Sequence, residues 1–200
     1  MVEQPRWFTE TDPGHSEWYA EHFRELVAAG EDTTGEARLV DAIVAPHSRI
    51  LDAGCGQGRT AGALAERGHI VVGVDIDPVL IDSARIDNPG PVYLCSDLVS
   101  LNLAEFGEAE LFDAAVSAGN VITFVSPGTE VAALINIRRH LKPDAPLIVG
   151  FHTERYATSQ FDKDLVVAGF VLESRFATWD LRPWHQDAEF CVSILRNPPS

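Results

Sequence analysis

Residues 50–75 read I-L-D-A-G-C-G-Q-G-R-T-A-G-A-L-A-E-R-G-H-I-V-V-G-V-D, and this stretch decides the fold that we predict for the chain. One apolar run leads into Asp52 and a second ends at Asp75, and both have the composition of buried parallel strands. Between them lie a loop with three glycines and a segment, 59–67, with helical spacing. The stretch therefore predicts one unit of strand, helix and strand.

The glycine loop and the end of the second strand predict a ligand that contains a nucleoside. Glycines allow a sharp turn and let a ligand approach bare backbone at the helix N-terminus, where N–H groups point outward. The Asp75 carboxylate, at the tip of the second strand, can accept both hydroxyl protons of a ribose. A dinucleotide fingerprint needs glycine where the chain has Arg59, and a phosphate loop needs a lysine and a spacing that the chain lacks.

The same stretch resembles the first motif of the class I S-adenosylmethionine-dependent methyltransferases, L-D-x-G-C-G-x-G, over residues 51–58. The second motif of that family, an acidic residue that closes the second strand, is similar to Asp75 in V-V-G-V-D-I-D-P. The resemblance extends to about Phe151. It implies that S-adenosyl-L-methionine is the cofactor and S-adenosyl-L-homocysteine the product. The implied cofactor site consists of Asp52, Gly54, Cys55, Gly56, Gly58, Asp75, Ile76, Asp97, Leu98, Ala118 and Gly119.

The resemblance also implies the fold class. We expect an α/β, doubly wound, mostly parallel seven-stranded sheet with helices on both faces and an antiparallel last strand inserted between the fifth and sixth. Later patterns predict strands at 92–95, 110–120 with its exit, 147–151, 170–178 and 189–196, and helices at 77–86, 129–141 and 159–168, the last closed by Gly169. Because 46% of the 200 residues are hydrophobic, residues 1–200 are predicted to form a single domain.

The segment before the first strand is predicted to contain two helices. Residues 1–14 carry two prolines and a glycine, and we expect them to form a loose arm. Helices are predicted at 16–28, with Ser16 as the N-cap, and at 35–44. In the family that the chain resembles, such leading helices lie over the cofactor pocket, and the resemblance implies this position for residues 15–45.

The composition limits the classes of partner. The net charge of −15 would repel a phosphate backbone, so nucleic acid is not the predicted substrate. Three scattered cysteines predict neither a disulfide framework nor a zinc site, and no metal is expected. Since no apolar run has the length of a signal core or a membrane span, we expect a soluble, cytoplasmic protein that does not act at membranes.

Two strand ends carry further information about the ligand. Asp97 follows the third strand, where it either reaches the exocyclic amine of an adenine, as the resemblance implies, or caps a turn. The exit of the fourth strand reads S-A-G-N-V over residues 117–121. Family members that methylate amide or exocyclic amino nitrogens typically have [DN]-P-P-[YF] here. The difference counts against methylation of nucleic-acid bases or glutamine.

The sequence also offers candidates for a general base and for residues that face the methyl acceptor. Methyl transfer from a sulfonium is an in-line displacement that needs alignment more than an obligatory triad. A base is needed only if the acceptor must lose a proton, and the candidates are His152, His185 and His22, with Asp113 expected at the start of the fourth strand, away from the site. Side chains that either face the acceptor or serve only in packing and turns are Trp18, Tyr19, Asn120, Phe124, Arg155 and Trp184.

Three functions remain open on the sequence alone. The first is methylation of a compact small molecule such as a metabolite, a thiol or an inorganic oxyanion, because 200 residues leave little room for a separate substrate domain. The second is a non-catalytic protein that binds S-adenosylmethionine and acts through partners. The third is an NAD-dependent oxidoreductase, which Arg59 in place of the third glycine disfavours.

Overall fold

A computed structural model describes residues 3–199, and within them seven strands form one sheet in the order β3-β2-β1-β4-β5-β7-β6. The strands are β1 Arg49–Ala53, β2 Ile70–Asp75, β3 Val92–Cys95, β4 Ala114–Ser117, β5 Pro146–His152, β6 Val171–Phe176 and β7 Phe190–Arg196. Strands β1 to β5 pair in parallel, whereas β7 is antiparallel to both β5 and β6. The predicted fold class, including the inserted antiparallel last strand, is confirmed.

Helices cover both faces of this sheet. They are α1 Arg6–Thr9, α2 His15–Ala28, α3 Gly35–Ile43, α4 Arg59–Glu66, α5 Pro78–Asp87, α6 Val121–Phe124, α7 Glu130–Arg139 and α8 Thr158–Ala168, with a short 3₁₀ helix at Leu103–Phe106. Within residues 3–199, no helix has the length and apolar character needed to cross a membrane.

Alternate strand residues supply two apolar cores, because successive side chains in a strand point to opposite faces. Ile50 packs in a core with residues of α3, α4 and α5, while its neighbour Leu51 packs in the other core with residues of α7 and α8. The same alternation separates Val71 from Val72. Hydrophobic burial on both faces therefore fixes the register that brings the strand ends to one edge.

Local signals set the ends of two helices as predicted. Asp77 caps α5, since its side chain accepts a hydrogen bond from the Val79 N–H at 2.8 Å and Pro78 occupies the first turn. Gly169 ends α8 in the left-handed conformation, with φ of 81°.

The prediction for the start of α2 is wrong. The helix begins at His15 after Gly14, whose φ is 84°, and Ser16 is not its N-cap. The Ser16 hydroxyl instead donates a hydrogen bond to the Asp77 carboxylate. A serine before an apolar periodic segment cannot reveal this contact, because the acceptor lies 61 residues further along the chain.

The expected loose arm also needs correction. We call residues 5–10 the strap, and α1 lies within it. Arg6 Nη1 donates to Glu130 Oε1 at 2.8 Å, and Trp7 Nε1 donates to Asp77 Oδ2 at 2.7 Å. Contacts with residues far along the chain therefore hold a segment whose own composition predicts disorder. Residues 1 and 2 of the predicted arm lie outside the described part.

Candidate functional site

A cavity opens at the C-terminal ends of β1, β2, β3 and β4, where the strand order reverses between β1 and β4. Ligands of open parallel sheets bind in this kind of crevice. The lining residues are Pro5, Trp7, Tyr19, Asp52, Gly54, Cys55, Gly56, Gln57, Arg59, Thr60, Asp75, Ile76, Leu80, Asp97, Leu98, Ala118, Gly119, Val121, Phe124 and Val125. Ten of the eleven positions predicted for the cofactor are therefore together in one cavity.

The exception is Gly58, which is buried beneath the cavity at the start of α4. Its φ is 83°, and a Cβ atom there would lie 2.5 Å from the Tyr93 hydroxyl oxygen. Glycine at this position thus permits close packing against β3. Backbone conformation and packing against Tyr93 therefore require glycine at position 58 whether or not a ligand is bound.

The loop after β1 is shaped by contacts with the protein itself. Gly54 has φ of 89°, and a Cβ atom there would lie 2.3 Å from Val121 Cγ1 at the start of α6. The N–H groups of Gly54 and Cys55 both donate to the Val74 carbonyl oxygen, at 2.8 and 2.9 Å. These two N–H groups bind β2 and are not free for a ligand. The glycine is required by the close approach of α6.

Asp75 connects the loop to the end of β2. Its Oδ2 accepts the Gly56 N–H at 2.8 Å, and its Oδ1 accepts the Asp77 N–H at 3.0 Å. Burial raises the pKa of this carboxyl to about 6, although the two backbone hydrogen bonds act in the opposite direction. Each carboxylate oxygen has a second lone pair, so Asp75 can still accept hydroxyl protons from a ligand in the cavity.

Asp52 is a buried acid with incomplete hydrogen bonding. The residue is 1% exposed, and its Oδ2 has no hydrogen-bond partner within the described residues. Burial raises its pKa to about 7, while the Arg59 guanidinium acts to lower it. A buried polar atom without a partner requires an explanation. Since Asp52 lines the cavity, a donor or cationic group of a bound ligand would satisfy it.

Arg59 occupies the position at which a dinucleotide site would have its third glycine. Its guanidinium forms a two-point ion pair with Glu36, donates to the Thr33 carbonyl oxygen at 2.6 Å and lies 5.1 Å from the centroid of the Phe23 ring. The side chain therefore fastens α4 to α2 and α3. The sequence motif identifies Arg59 only as a departure from the dinucleotide fingerprint, because its partners Glu36 and Phe23 lie on other helices.

Asp97 makes the turn that the sequence left open and also lines the cavity. Its Oδ1 accepts the Val99 N–H at 2.9 Å, which is an aspartate turn. The residue also lines the cavity, next to the buried Leu98. The turn fixes the carboxylate at the end of β3, so a structural role and a ligand-facing position occur in the same side chain.

Three aromatic side chains, which we call the aromatic wall, close the cavity near the exit of β4. The Trp7 ring meets Phe124 edge to face with centroids 5.4 Å apart, and meets Tyr19 in the same way at 5.9 Å. The Tyr19 hydroxyl oxygen lies 3.9 Å from an ideal Cβ position on Gly119. Burial raises the pKa of Tyr19, so its hydroxyl stays protonated at neutral pH. The wall joins the strap and α2 to the sheet edge.

Three of the six acceptor-side candidates lie at or beside the cavity edge. Tyr19 and Phe124 line the cavity, and Arg155 lies behind Phe124, with its guanidinium carbon 4.3 Å from the ring centroid. Arg155 also donates to Glu10 at 2.6 Å in an adjoining polar cleft. It acts on the cavity through Phe124 and the strap.

The remaining candidates lie elsewhere. Trp18 is 58% exposed and stacks on His22 with centroids 5.2 Å apart. Asn120 binds the end of β5, since its Oδ1 accepts the His152 N–H at 2.7 Å. Trp184 lies 5.5 Å from the Arg175 guanidinium. None of these three candidates lines the cavity.

The proposed bases are also outside the cavity. Among the residues that the structure describes, no histidine is part of the lining, and this includes His152, His185 and His22. Asp113 lies before β4, at the opposite end of the strand, where it accepts from Lys142 and from the Arg49 N–H, both at 2.7 Å. The structure therefore brings no general base to the cavity from the predicted set.

Comparisons with known proteins show similarity to methyltransferases. Residues 50–144 match a family described as "Methyltransferase domain". A TehB-like SAM-dependent methyltransferase from Corynebacterium glutamicum is 42% identical, with a TM-score of 0.85, over 92% of this chain and 98% of that one.

Two curated relatives match over shorter regions. Magnesium-protoporphyrin O-methyltransferase from Rhodobacter capsulatus is 36% identical over 109 residues, which are 52% of this chain and 46% of that enzyme. Ribosomal protein L11 methyltransferase from Symbiobacterium thermophilum is 36% identical over 88 residues, 42% of this chain and 29% of that enzyme. The chain thus spans about half or less of the curated relatives that it matches.

Proposed function

We propose that this chain, which belongs to the class I S-adenosylmethionine-dependent methyltransferases, transfers a methyl group to a small-molecule acceptor by in-line displacement. Membership of the family makes the protein an enzyme with S-adenosyl-L-methionine as its cofactor. It also counts against the two alternatives that the sequence left open, a non-catalytic binding protein and an NAD-dependent oxidoreductase. The proposal concerns the acceptor, which we infer to be a small molecule.

The cavity fits the cofactor. The unpartnered Asp52 Oδ2 would accept from the cationic amino group of the methionine part, and the carboxylate of Asp75 would accept from the ribose hydroxyls. Asp97, at the end of β3, would accept from the adenine amine. When bound, the cofactor supplies a methyl group already activated on a sulfonium. Ala118 and Gly119 at the exit of β4 would face that group, and the aromatic wall would limit the access of water to it.

The aromatic wall carries the proposal that the acceptor is small. Trp7, Tyr19 and Phe124 close the cavity beside Ala118 and Gly119, so the acceptor must fit between these rings and the bound cofactor. Such an enclosure favours a compact, largely apolar molecule over an extended polymer. The net charge of −15 further disfavours a nucleic-acid acceptor.

Catalysis in this enclosure depends on alignment. Rings that fix the acceptor in line with the methyl group can lower the barrier by up to about 7 to 11 kcal/mol in favourable cases. The Tyr19 hydroxyl, which stays protonated at neutral pH, is suited to donate a hydrogen bond to the acceptor and not to remove its proton. We therefore assign no general base.

The test uses S-adenosyl-L-methionine labelled in the methyl group. The purified protein is incubated with a cell extract separated into low-molecular-weight and macromolecular fractions, and the Asp75→Ala variant serves as the control for this cavity. We expect label in the low-molecular-weight fraction only, and lost in the variant. Label confined to the protein fraction would contradict the proposal and would favour an acceptor of the kind named for the ribosomal protein L11 enzyme.

A second variant tests the wall itself. Phe124→Ala removes one of its three rings without touching Asp52, Asp75 or Asp97. We expect KM for the identified acceptor to rise about tenfold or more, while the affinity for S-adenosyl-L-homocysteine changes little. An unchanged KM would show that the acceptor binds elsewhere.

A further inference from the structure

Three separate segments of the chain meet at one buried carboxylate. Asp77 is 2% exposed. Its Oδ1 accepts the Val79 N–H at 2.8 Å and so caps α5. Its Oδ2 accepts Trp7 Nε1 at 2.7 Å from the strap and the Ser16 hydroxyl from α2.

The two oxygens of Asp77 thus have different roles. A cap needs only one acceptor, which asparagine, serine or threonine would also supply. Burial of a carboxylate is unfavourable unless both oxygens are hydrogen-bonded. The second oxygen accepts only from Trp7 of the strap and Ser16 of α2. The helix cap alone does not explain why an aspartate is buried here.

Asp77 is also joined directly to the carboxylate that faces the cavity. Its backbone N–H donates to Asp75 Oδ1 at 3.0 Å, and Asp75 Oδ2 accepts the Gly56 N–H. A continuous set of hydrogen bonds therefore runs from the Trp7 indole to the loop after β1. A displaced strap removes one of the two donors to Asp77 Oδ2, the Trp7 indole N–H, from a residue that is hydrogen-bonded to Asp75.

We propose that Asp77 is a positioning residue that couples closure of the strap to retention of the cofactor. With Trp7 bound, the aromatic wall closes the cavity and Asp75 is held in its ligand-facing orientation. With Trp7 released, the cavity end of the strap opens and the cofactor dissociates faster. This inference rests on binding of the cofactor in this cavity and is independent of the acceptor.

Other contacts keep the rest of the strap in place. Arg6 binds Glu130 at 2.8 Å and Glu10 binds Arg155 at 2.6 Å, and neither pair involves Asp77. Loss of the Asp77 contacts should therefore free Trp7 while the strap stays docked. The effect is expected in the kinetics of cofactor release and not in the folding of the whole segment.

The decisive variant is Asp77→Asn. The asparagine oxygen can still cap α5, whereas its amide N–H groups would face the indole N–H of Trp7, donor against donor. We expect the dissociation rate of S-adenosyl-L-homocysteine, measured by stopped flow, to rise about tenfold. Asp82→Asn, on the exposed side of the same helix, is the matched control and should leave the rate unchanged.

A second substitution tests whether the contact is direct. Trp7→Phe removes the indole N–H and with it the conflict that Asp77→Asn creates. We expect Asp77→Asn to release the ligand faster than Trp7→Phe, and the double variant to return to the rate of Trp7→Phe alone. Such rescue would not occur if Asp77 only capped α5.

Each outcome bears on one assignment. A wild-type rate in Asp77→Asn, or additive effects in the double variant, would overturn the coupling. If Asp77→Asn does not fold, Trp7→Phe and Ser16→Ala test the same oxygen, and wild-type rates in both would overturn it as well. A wild-type protein that does not bind S-adenosyl-L-homocysteine would instead overturn the cofactor site on which the inference rests.

Discussion

The floor and the cover of the cavity are built by different kinds of contact. The floor, residues 52–58, is bound to the end of β2 by hydrogen bonds such as that from the Gly56 N–H to Asp75, 19 residues away. The cover, the strap with Tyr19, depends on pairs such as Trp7 with Asp77 and Arg6 with Glu130, which are 70 and 124 residues apart. One short motif therefore specifies the floor, whereas the cover requires most of the chain to be folded.

The sharpest test of the floor is Gly54→Ala. The new Cβ atom would lie 2.3 Å from Val121 Cγ1 at a φ of 89°, so steric overlap adds to backbone strain. We expect a loss of about 3 kcal/mol or more in the free energy of unfolding, measured by denaturant titration, with cofactor binding abolished.

Gly107→Ala is the matched control, because its φ is 85° and a Cβ atom there would meet nothing within 4 Å. It should lose only about 1 to 2 kcal/mol. Equal losses in the two variants would mean that backbone conformation alone, and not the approach of α6, requires Gly54.

The next largest effect is expected from the buried carboxyl of Asp52, which lies in the floor. Because the pKa of Asp52 is raised to about 7 in the folded protein, the folded state holds a proton that the unfolded state releases above about pH 4. The contribution of Asp52 to the stability of the ligand-free protein should therefore fall as pH rises from about 4 to 7. Asp52→Asn removes this dependence. The difference in the free energy of unfolding between the variant and the wild type should therefore favour the variant by about 2 to 3 kcal/mol more at pH 8 than at pH 5.

Thermal or urea unfolding at the two pH values measures this difference. Asp113→Asn provides a contrast of opposite sign, since the Lys142 ammonium and the Arg49 N–H hold the pKa of Asp113 below its usual value. That substitution should lower stability at both pH values. A gain from Asp52→Asn that does not change with pH would contradict the assignment of a buried, protonated carboxyl.

Asp75 lies between the floor and the cover, and its loss should weaken cofactor binding. Asp75→Ala removes the two hydrogen bonds that we propose to the ribose, and we expect the affinity for S-adenosyl-L-homocysteine to fall at least about tenfold. Calorimetric titration measures it, with exposed Asp82→Ala as the control.

The wild-type affinity should also weaken as pH falls below about 7, where Asp52 loses the charge that we propose to face the amino group, and further below about pH 6, because a protonated Asp75 accepts fewer hydrogen bonds. An unchanged affinity in Asp75→Ala would show that the ribose lies elsewhere.

The smallest effect is expected in the cover. Glu130→Gln removes the charge from the half-buried pair with Arg6, and it should cost about 1 kcal/mol or less. Hydrogen exchange of the strap amides should nevertheless become faster, while exchange in the loop after β1 stays the same. Glu173→Gln, which breaks a pair with Arg196 at the far end of the sheet, should leave the strap unaffected.

This contrast explains which parts of the site could be predicted from the sequence. Asp52, Gly54, Gly56 and Asp75 belong to one strand, turn and strand pattern, and each has a local reason for its type. The strand ends at Asp97 and Ala118 follow from the rule that parallel strands present their carboxyl ends to the ligand. The sheet order follows from the resemblance and is confirmed by the structure.

Trp7 and Arg59 show why the rest was missed. Trp7 is an aromatic residue in a segment rich in turn formers, and its acceptor is 70 residues away. The Arg59 ion pair is made with a residue 23 positions earlier, on a different helix. Neither partner can be identified from periodicity or spacing. The aromatic pair Trp7 and Phe8 was the local signal in the arm, and only Trp7 packs against the body of the protein, since Phe8 is 46% exposed.

The position of β7 also determines the order in which the sheet can be assembled. β6 contacts the sheet only through β7, although β6 is synthesised first. Until residues 190–196 are available, the edges of both β5 and β6 lack their backbone partners. Open edges of this kind are templates for pairing between chains. The inserted strand thus protects two sheet edges at once, and a chain that has not yet paired β7 exposes both of them to aggregation.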